Sequence, residues 1–210
     1  MDRFIEQIAA AFFWEWCAVI LALIYLVLAI KKSIWCWPAA FLSTAIYAWL
    51  FFDVNLFMES FLNAYYLIMA LYGWKLWSRT KTDQKSKSTN SFRIIRWSLK
   101  IHLMIILILF MGVLLTGFLL STYTSQDLAY LDSFTTIFAL VATFMVTKKV
   151  LENWLYWIII NLVSVYLFYS KGLVLTSVLF SMYVILSVIG WYKWKTEFDS
   201  NHSIKSNLIT

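Results

Sequence analysis

The chain has 210 residues, of which 62% are hydrophobic, 20% aromatic and only 13% charged. Soluble domains are close to half apolar and about one quarter charged, so this composition excludes an ordinary soluble domain. The mean hydropathy of +0.77 and the single proline predict an all-α, polytopic membrane protein. A net charge of +6 would favour nucleic acid binding in a soluble protein. Here the basic residues lie between hydrophobic runs and indicate membrane topology instead.

Seven hydrophobic segments follow one another, each close to the ~20 residues that cross the hydrocarbon core of a bilayer. They cover residues 14–30, 34–52, 56–77, 97–121, 128–147, 150–169 and 173–192. The only long connection is a cytoplasmic loop rich in Lys, Ser and Thr at 78–96, and a polar cytoplasmic tail follows at 195–210. The other connections are short, which predicts that successive helices are antiparallel and pack side by side.

The positive charges predict the orientation of these segments. Fifteen of the seventeen Lys and Arg residues flank one side of the seven crossings, and only Arg3 and Lys171 do not. Because Lys and Arg concentrate on the cytoplasmic side of a membrane, we predict a multi-pass protein with its N-terminus outside and its C-terminus in the cytoplasm.

An internal repeat relates the two halves of the chain. A shift of 117 residues aligns the first three segments with the last three without a gap, and sixteen of the 64 aligned pairs are identical. Each repeat holds three crossings, so one extra helix between them gives both repeats the same orientation. We therefore predict a 3+1+3 arrangement, with three-helix repeats at 14–77 and 128–194 and a connecting transmembrane helix at 97–121. Paired repeats around a central path favour a transporter.

A motif in the sixth segment is the strongest candidate for ligand binding. Trp154, Trp157 and Asn161 are spaced i, i+3 and i+7, which places them on one helical face. An interfacial aromatic belt with an amide that joins two helices is the alternative interpretation. The repeat aligns Trp37 with Trp154 and Thr44 with Asn161, and two chemically different walls favour one asymmetric ligand between them.

Other residues of the first repeat extend this candidate site. Glu59, Asn63 and Tyr66 share one face of the third segment, and Tyr47 lies one turn beyond Thr44. An acid inside a membrane segment is a functional candidate, although a solvated position near the outer boundary would also explain Glu59. Indole faces beside amides suit a flat cationic or electron-poor ring. The predicted substrate-binding set is Trp154, Trp157, Asn161, Asn63, Trp37, Thr44, Tyr47, Glu59 and Tyr66.

No catalytic or metal-binding pattern accompanies these residues. The two histidines, His102 and His202, are far apart in the sequence, and no phosphate-binding glycine loop is present. We therefore expect a protein that is not an enzyme and that binds no cofactor, no metal and no nucleic acid.

Three runs carry a resemblance to a known family: Thr147-Lys148-Lys149 with Glu152-Asn153-Trp154, Trp157 and Asn161; Ile34-Trp35-Cys36-Trp37-Pro38; and Tyr72-Gly73-Trp74. They resemble the PnuC-type family of bacterial vitamin transporters. The resemblance covers nearly the whole chain, and Trp-x-x-Trp-x-x-x-Asn is its most specific motif. It implies ligand contacts at Trp154, Trp157, Asn161 and Asn63.

The resemblance implies uptake of nicotinamide riboside across the bacterial inner membrane by facilitated diffusion. A separate cytoplasmic vitamin kinase would trap the substrate, and the protein would form a homo-oligomer in the lipid, with a trimer as one candidate. The family often has Gln at the position of Asn63 and Gly where this chain has Ala39 or Ala40, which changes the pocket. Thiamine is therefore the alternative substrate, and a non-transporting membrane sensor or complex subunit is a further alternative.

Overall fold

The computed structural model describes residues 2–53, 57–83, 93–123, 128–171 and 174–207, and side chains within these ranges except at 2–12, 51, 57–59, 80–83, 174–175 and 202–207. Over these residues the chain forms seven α-helices and one isolated β-bridge. The helices are α1 (Asp2–Ile30), α2 (Cys36–Asp53), α3 (Phe57–Asp83), α4 (Leu99–Tyr123), α5 (Ala129–Thr147), α6 (Asn153–Ser170) and α7 (Val174–Asn207). The predicted all-α class is confirmed.

Five of these helices contain a stretch that is long and apolar enough to cross a bilayer, counted over the described residues. The stretches are Phe13–Ile30 in α1, Leu99–Tyr123, Ala129–Thr147, Asn153–Ser170 and Thr176–Asn201 in α7. In α2 the stretch Cys36–Leu50 is also apolar. A multi-pass helical membrane protein is thus supported, and the seven crossings of the 3+1+3 arrangement stay a prediction.

Three helices extend well beyond the predicted segments, and one of them is α1, which begins at Asp2 instead of residue 14. α3 continues to Asp83, into the predicted loop, and α7 continues to Asn207, so that most of the predicted polar tail is helical. Residues 78–83 and 195–207 contain neither Gly nor Pro, and no local signal stops either helix. Residues 84–92 of the predicted loop lie outside the described residues.

The contacts divide the chain after Phe92, and unit 1 holds α1, α2 and α3. Within it α2 packs against both α1 and α3. Ser43 Oγ of α2 donates a hydrogen bond to the Ala18 carbonyl of α1 at 2.8 Å, and Ser60 Oγ of α3 donates to the Ala48 carbonyl of α2 at 2.8 Å. Hydroxyl groups of this kind join helices in lipid, where small side chains also allow close approach.

Unit 2 holds α4, α5, α6 and α7, so the connecting helix clusters with the second three-helix repeat. Within it α5 packs against α4 and α6, and α6 packs against α7. Ser177 Oγ of α7 donates to the Val165 carbonyl of α6 at 3.1 Å. Both residues lie 117 positions after Ser60 and Ala48, so the same interhelical hydrogen bond is present in each unit.

The turn that precedes α2 is also present before α6. Lys32 and Lys149 adopt the left-handed conformation, with φ of 53° and 56°. Their N–H groups donate to the carbonyls of Ala29 at 2.9 Å and Val146 at 3.0 Å. In both turns the N–H of the following residue donates to the carbonyl of the residue just before that acceptor. This is the Schellman arrangement that ends a helix, usually with Gly at the left-handed position. The aligned lysine pairs therefore mark a turn of one geometry in both repeats.

A tryptophan in each unit lies over a glycine and packs edge-on against a second tryptophan. The ring centroids are 5.2 Å apart in unit 1 and 5.4 Å apart in unit 2, and the ring planes are 87° apart in both. All four rings are almost completely buried, and edge-to-face pairs add about 0.5–1.5 kcal/mol beyond their buried area. The residues are Trp37, Gly73 and Trp77 in unit 1, and Trp154, Gly190 and Trp194 in unit 2.

We expect Gly73→Ala and Gly190→Ala each to lower the free energy of unfolding by about 1–3 kcal/mol. A Cβ at either position would overlap the ring of Trp37 or Trp154, so a buried indole would have to move. The measurement is thermal unfolding of the purified protein in detergent.

Gly112→Ala is the matched control, because a Cβ there would lie 3.6 Å from Ile137, an ordinary contact. Alanine favours a helix over glycine, so this variant should be as stable as the original or more so. Equal unfolding temperatures for all three variants would contradict the packing role of the two glycines.

Candidate functional site

The buried side of α6 carries the predicted motif. Its buried residues are Asn153, Trp154, Tyr156, Ile160, Asn161, Ser164 and Leu167. Trp154 and Asn161 thus lie on one face, as their spacing predicted, and Trp157 lies between them along the helix. Within unit 2 this face meets α5 and α7.

Trp154 is held firmly inside unit 2. It is 1% exposed, and its ring lies against Trp194 and over Gly190. Its indole N–H finds no hydrogen-bond acceptor among the described residues, and the same holds for Trp37 in unit 1. In its own unit Trp154 is therefore a packing residue, and a ligand contact at this position stays a prediction.

Trp157 differs from its neighbours because it is only partly buried. All residues next to it on the helix surface, at i−4, i−3, i+3, i+4 and i+7, are buried: Asn153, Trp154, Ile160, Asn161 and Ser164. Trp157 is thus the residue of this face whose ring keeps part of its surface uncovered within unit 2. Of the two tryptophans in the motif, Trp157 is the more exposed one in unit 2, and a ligand contact at this position stays a prediction.

Asn161 is 3% exposed and makes a hydrogen bond to the neighbouring helix. Its Nδ2 donates to Ser187 Oγ of α7 at 3.3 Å. Ser187 is itself 1% exposed, so this bond is shielded from solvent and fixes which way the amide points. An amide held in one orientation can present a defined donor and acceptor to a ligand hydroxyl or carboxamide.

The aligned residues of unit 1 make different hydrogen bonds. Thr44 is partly exposed, and its Oγ1 donates to the Ala40 carbonyl of its own helix at 2.8 Å. The donor of Thr44 is therefore used within α2, whereas Asn161 reaches across to α7. The two walls predicted from the repeat do differ in chemistry at this position.

The remaining predicted residues also belong to unit 1. Tyr47, Asn63 and Tyr66 are partly exposed, while the side chain of Glu59 lies outside the described side chains. The structure thus groups the predicted residues into two sets, one in each unit. A single pocket with contributions from both sets stays a prediction.

Two residues that were not predicted to have a role hold parts of this face in place. Ser187 orients Asn161. The sequence could have indicated a role for Ser187, because it lies three residues before Gly190 and residues at i and i+3 share one face of a helix. Glu152 is buried immediately before α6 and pairs with Arg96, a partner 56 residues earlier that no local pattern indicates. Among the described residues no group of three or more His, Cys, Asp and Glu side chains could hold a metal ion.

Comparison with known proteins identifies the family. A model of the nicotinamide mononucleotide transporter family matches residues 12–196. The chain belongs to this family. It is 27% identical over 176 residues to the riboflavin/roseoflavin transporter RibM of Streptomyces davaonensis, which covers 83% of this chain and 81% of that protein. It is 22% identical over 173 residues to the nicotinamide riboside transporter PnuC of Escherichia coli, which covers 73% of this chain and 72% of that protein.

A solved structure shares the fold. The crystal structure of the vitamin B3 transporter PnuC matches with a TM-score of 0.69 at 19% identity, and the match covers 90% of this chain and 83% of that one. The resemblance to the PnuC-type family is therefore confirmed, and the chain is a transporter of this family rather than an enzyme.

Proposed function

We propose that the protein carries a small flat aromatic vitamin across the bacterial inner membrane, with nicotinamide riboside as the leading substrate. The observation that carries this proposal is the open ring of Trp157 beside the oriented amide of Asn161, on a face whose other residues are buried. A site of this kind offers a stacking surface and a directed polar group side by side.

The chemistry of nicotinamide riboside matches these two groups. Its pyridinium ring is flat and positively charged, and a desolvated cation over an indole face gains up to about 2 kcal/mol. Its carboxamide and ribose hydroxyls can exchange hydrogen bonds with an asparagine amide. A relative in Escherichia coli bears the name nicotinamide riboside transporter, which supports this substrate.

Riboflavin is the second candidate. The relative named as a riboflavin/roseoflavin transporter is more similar to this chain, at 27% against 22% identity, and aligns over more of it. Riboflavin would also stack on Trp157 and offer hydroxyls to Asn161, but its three fused rings need a wider recess. Thiamine, which is a flat cation with a hydroxyl, is the third compound to test.

The transport mechanism is part of the same proposal. Seven crossings in a 3+1+3 arrangement would place the two repeats in one orientation, with the N-terminus outside and the C-terminus in the cytoplasm. Substrate would pass by facilitated diffusion between alternating conformations, and a cytoplasmic vitamin kinase would make uptake directional. The apolar surfaces of the helices would contact lipid and other copies in a homo-oligomer.

Flux measurements test this proposal directly. Purified protein in liposomes, with no other protein present, should equilibrate labelled nicotinamide riboside across the bilayer faster than empty liposomes do. Riboflavin and thiamine are measured in parallel, and the fastest saturable uptake identifies the substrate. Absence of flux for all three would favour a sensor or complex subunit, and accumulation above equilibrium under an imposed proton or sodium gradient would contradict facilitated diffusion.

We expect Trp157→Ala to weaken binding of the transported vitamin by at least about 1 kcal/mol, or roughly fivefold to tenfold, because the ring loses its stacking partner. Isothermal titration of the purified protein measures the affinity. Tyr166→Ala is the control on the same helix, since Tyr166 is 59% exposed and lies outside the candidate face. Equal affinities of the two variants would rule out stacking on Trp157.

A second prediction concerns the orientation of Asn161. Ser187→Ala removes the acceptor of its amide, and we expect an affinity loss of about 0.5–1.5 kcal/mol, the net value of one hydrogen bond. Ser177→Ala is the matched control, because Ser177 is also a buried serine of α7 that bonds to α6, at Val165. Both variants should lose similar stability, and only Ser187→Ala should lose affinity. An affinity loss of equal size in Ser177→Ala would show that the effect is general loosening of α6 and α7.

A further inference from the structure

A buried carboxylate lies at the start of α6. Glu152 is the N-cap residue of this helix and is 7% exposed. Its Oε1 accepts a hydrogen bond from Arg96 Nε at 2.8 Å, and its Oε2 lies 3.7 Å from His102 Nε2. Arg96 comes from the segment that precedes α4, and His102 comes from the first turn of α4. One side chain thus contacts two successive parts of the connecting region.

The segment at 93–98, here called the strap, also pairs with the turn before α6 through its backbone. The Ile95 N–H donates to the Lys149 carbonyl at 3.0 Å, and the Leu151 N–H donates to the Ile95 carbonyl at 2.8 Å. Ile95 and Val150 form an isolated parallel bridge. The strap, the turn and Glu152 therefore form one hydrogen-bonded junction inside unit 2.

His102 extends this junction along α6. Its Nδ1 lies 3.1 Å from the Tyr156 hydroxyl, and both side chains are buried. Tyr156 is four residues after Glu152, so the two side chains share a face of α6. His102 thereby links the first turn of α4 to the first turn of α6 through side-chain contacts.

The first repeat serves as an internal control for the role of Glu152. The shift of 117 residues aligns Glu152 with Trp35, which is 67% exposed. Both repeats nevertheless contain the turn with a left-handed lysine and the packing of a tryptophan over a glycine. A three-helix repeat therefore folds without an acid at this position. The Arg96 side chain is 52% exposed, and ion pairs that are open to solvent contribute only about 0–1 kcal/mol, so stability alone does not explain Glu152.

We propose that Glu152 is a positioning residue for transport. It fastens the strap and the first turn of α4 to the start of α6, so that the connecting helix stays attached to the second repeat while substrate passes. This inference rests on the proposed transport function. Trp157 is five residues after Glu152, about 7.5 Å along the helix, so the junction also fixes where the open indole lies within unit 2.

Liposome uptake of nicotinamide riboside, riboflavin and thiamine provides the first test. Glu152→Ala should lower the initial rate for the transported vitamin at least tenfold, while Trp35→Ala at the aligned position should stay within twofold of the original rate. Size-exclusion chromatography selects folded protein, and Glu152→Gln replaces Glu152→Ala if the latter does not fold. A rate within twofold of the original in the folded Glu152 variant would overturn the proposal.

A disulfide that replaces the ion pair of Glu152 distinguishes a positioning role of this residue from other roles. With Cys17 and Cys36 replaced by Ser, Ile95→Cys and Val150→Cys place a cysteine on each side of the bridge. In the Glu152→Ala background the oxidised disulfide should restore uptake to within threefold of the original, and reductant should abolish the rescue. Three outcomes would each overturn the proposal. The disulfide does not form, it forms without restoring uptake, or it blocks uptake when Glu152 is present.

Hydrogen exchange tests the junction without any substrate. Peptides that contain the Ile95 and Leu151 amides should exchange at least tenfold faster in Glu152→Ala, while the turn at Lys32 and Ser33 should be unchanged. Unchanged exchange at Ile95 and Leu151 would show that Glu152 does not hold the junction. If the original protein transports none of the three vitamins, the proposed function fails. Hydrogen exchange then still shows whether Glu152 holds the junction together.

Discussion

The packing of one indole over a glycine and against a second indole supports both halves of this protein. In lipid the hydrophobic effect between helices is weak, so close contact has to come from shape. A helical glycine leaves room for a flat ring, and the second tryptophan covers the edge of that ring, as Trp37 and Trp154 show. The candidate ligand face depends on this contact, because Trp154 anchors the first turn of α6 and thereby places Trp157 and Asn161.

Much of this organisation could be predicted from the sequence. Hydrophobic length located α4, α5 and α6 to within three residues, because lipid demands long apolar helices. The shift of 117 residues brought Lys32 onto Lys149, and the structure shows that both lysines adopt the same left-handed turn. The spacing of Trp154 and Asn161 placed both on one face of α6, and both are buried there. These predictions succeeded because each depends on a local period or on a comparison of one repeat with the other.

Contacts between distant parts of the chain could not be predicted in the same way. The ion pair of Arg96 with Glu152 joins residues that are 56 positions apart. Arg96 lies outside both repeats, and the residue aligned with Glu152 is the uncharged Trp35. The distinction between Trp154 and Trp157 also depends on tertiary packing, since both lie on the face that the spacing predicts. The extensions of α1, α3 and α7 were missed because hydrophobicity marks where a helix leaves the lipid, whereas the helix itself ends only where a local signal stops it.

The repeats share a scaffold but differ at the positions for which we propose a function. Thr44 bonds to its own helix, whereas Asn161 bonds to α7, and Trp35 is exposed, whereas Glu152 is buried under the strap. A symmetric pair of halves would present the same groups twice, which suits no asymmetric vitamin. Within unit 2 Glu152 attaches the strap and the connecting helix to the start of α6, and the aligned Trp35 of unit 1 carries no acid that could make the same contacts. The asymmetry that a substrate requires is thus built on a scaffold whose packing stays the same in both halves.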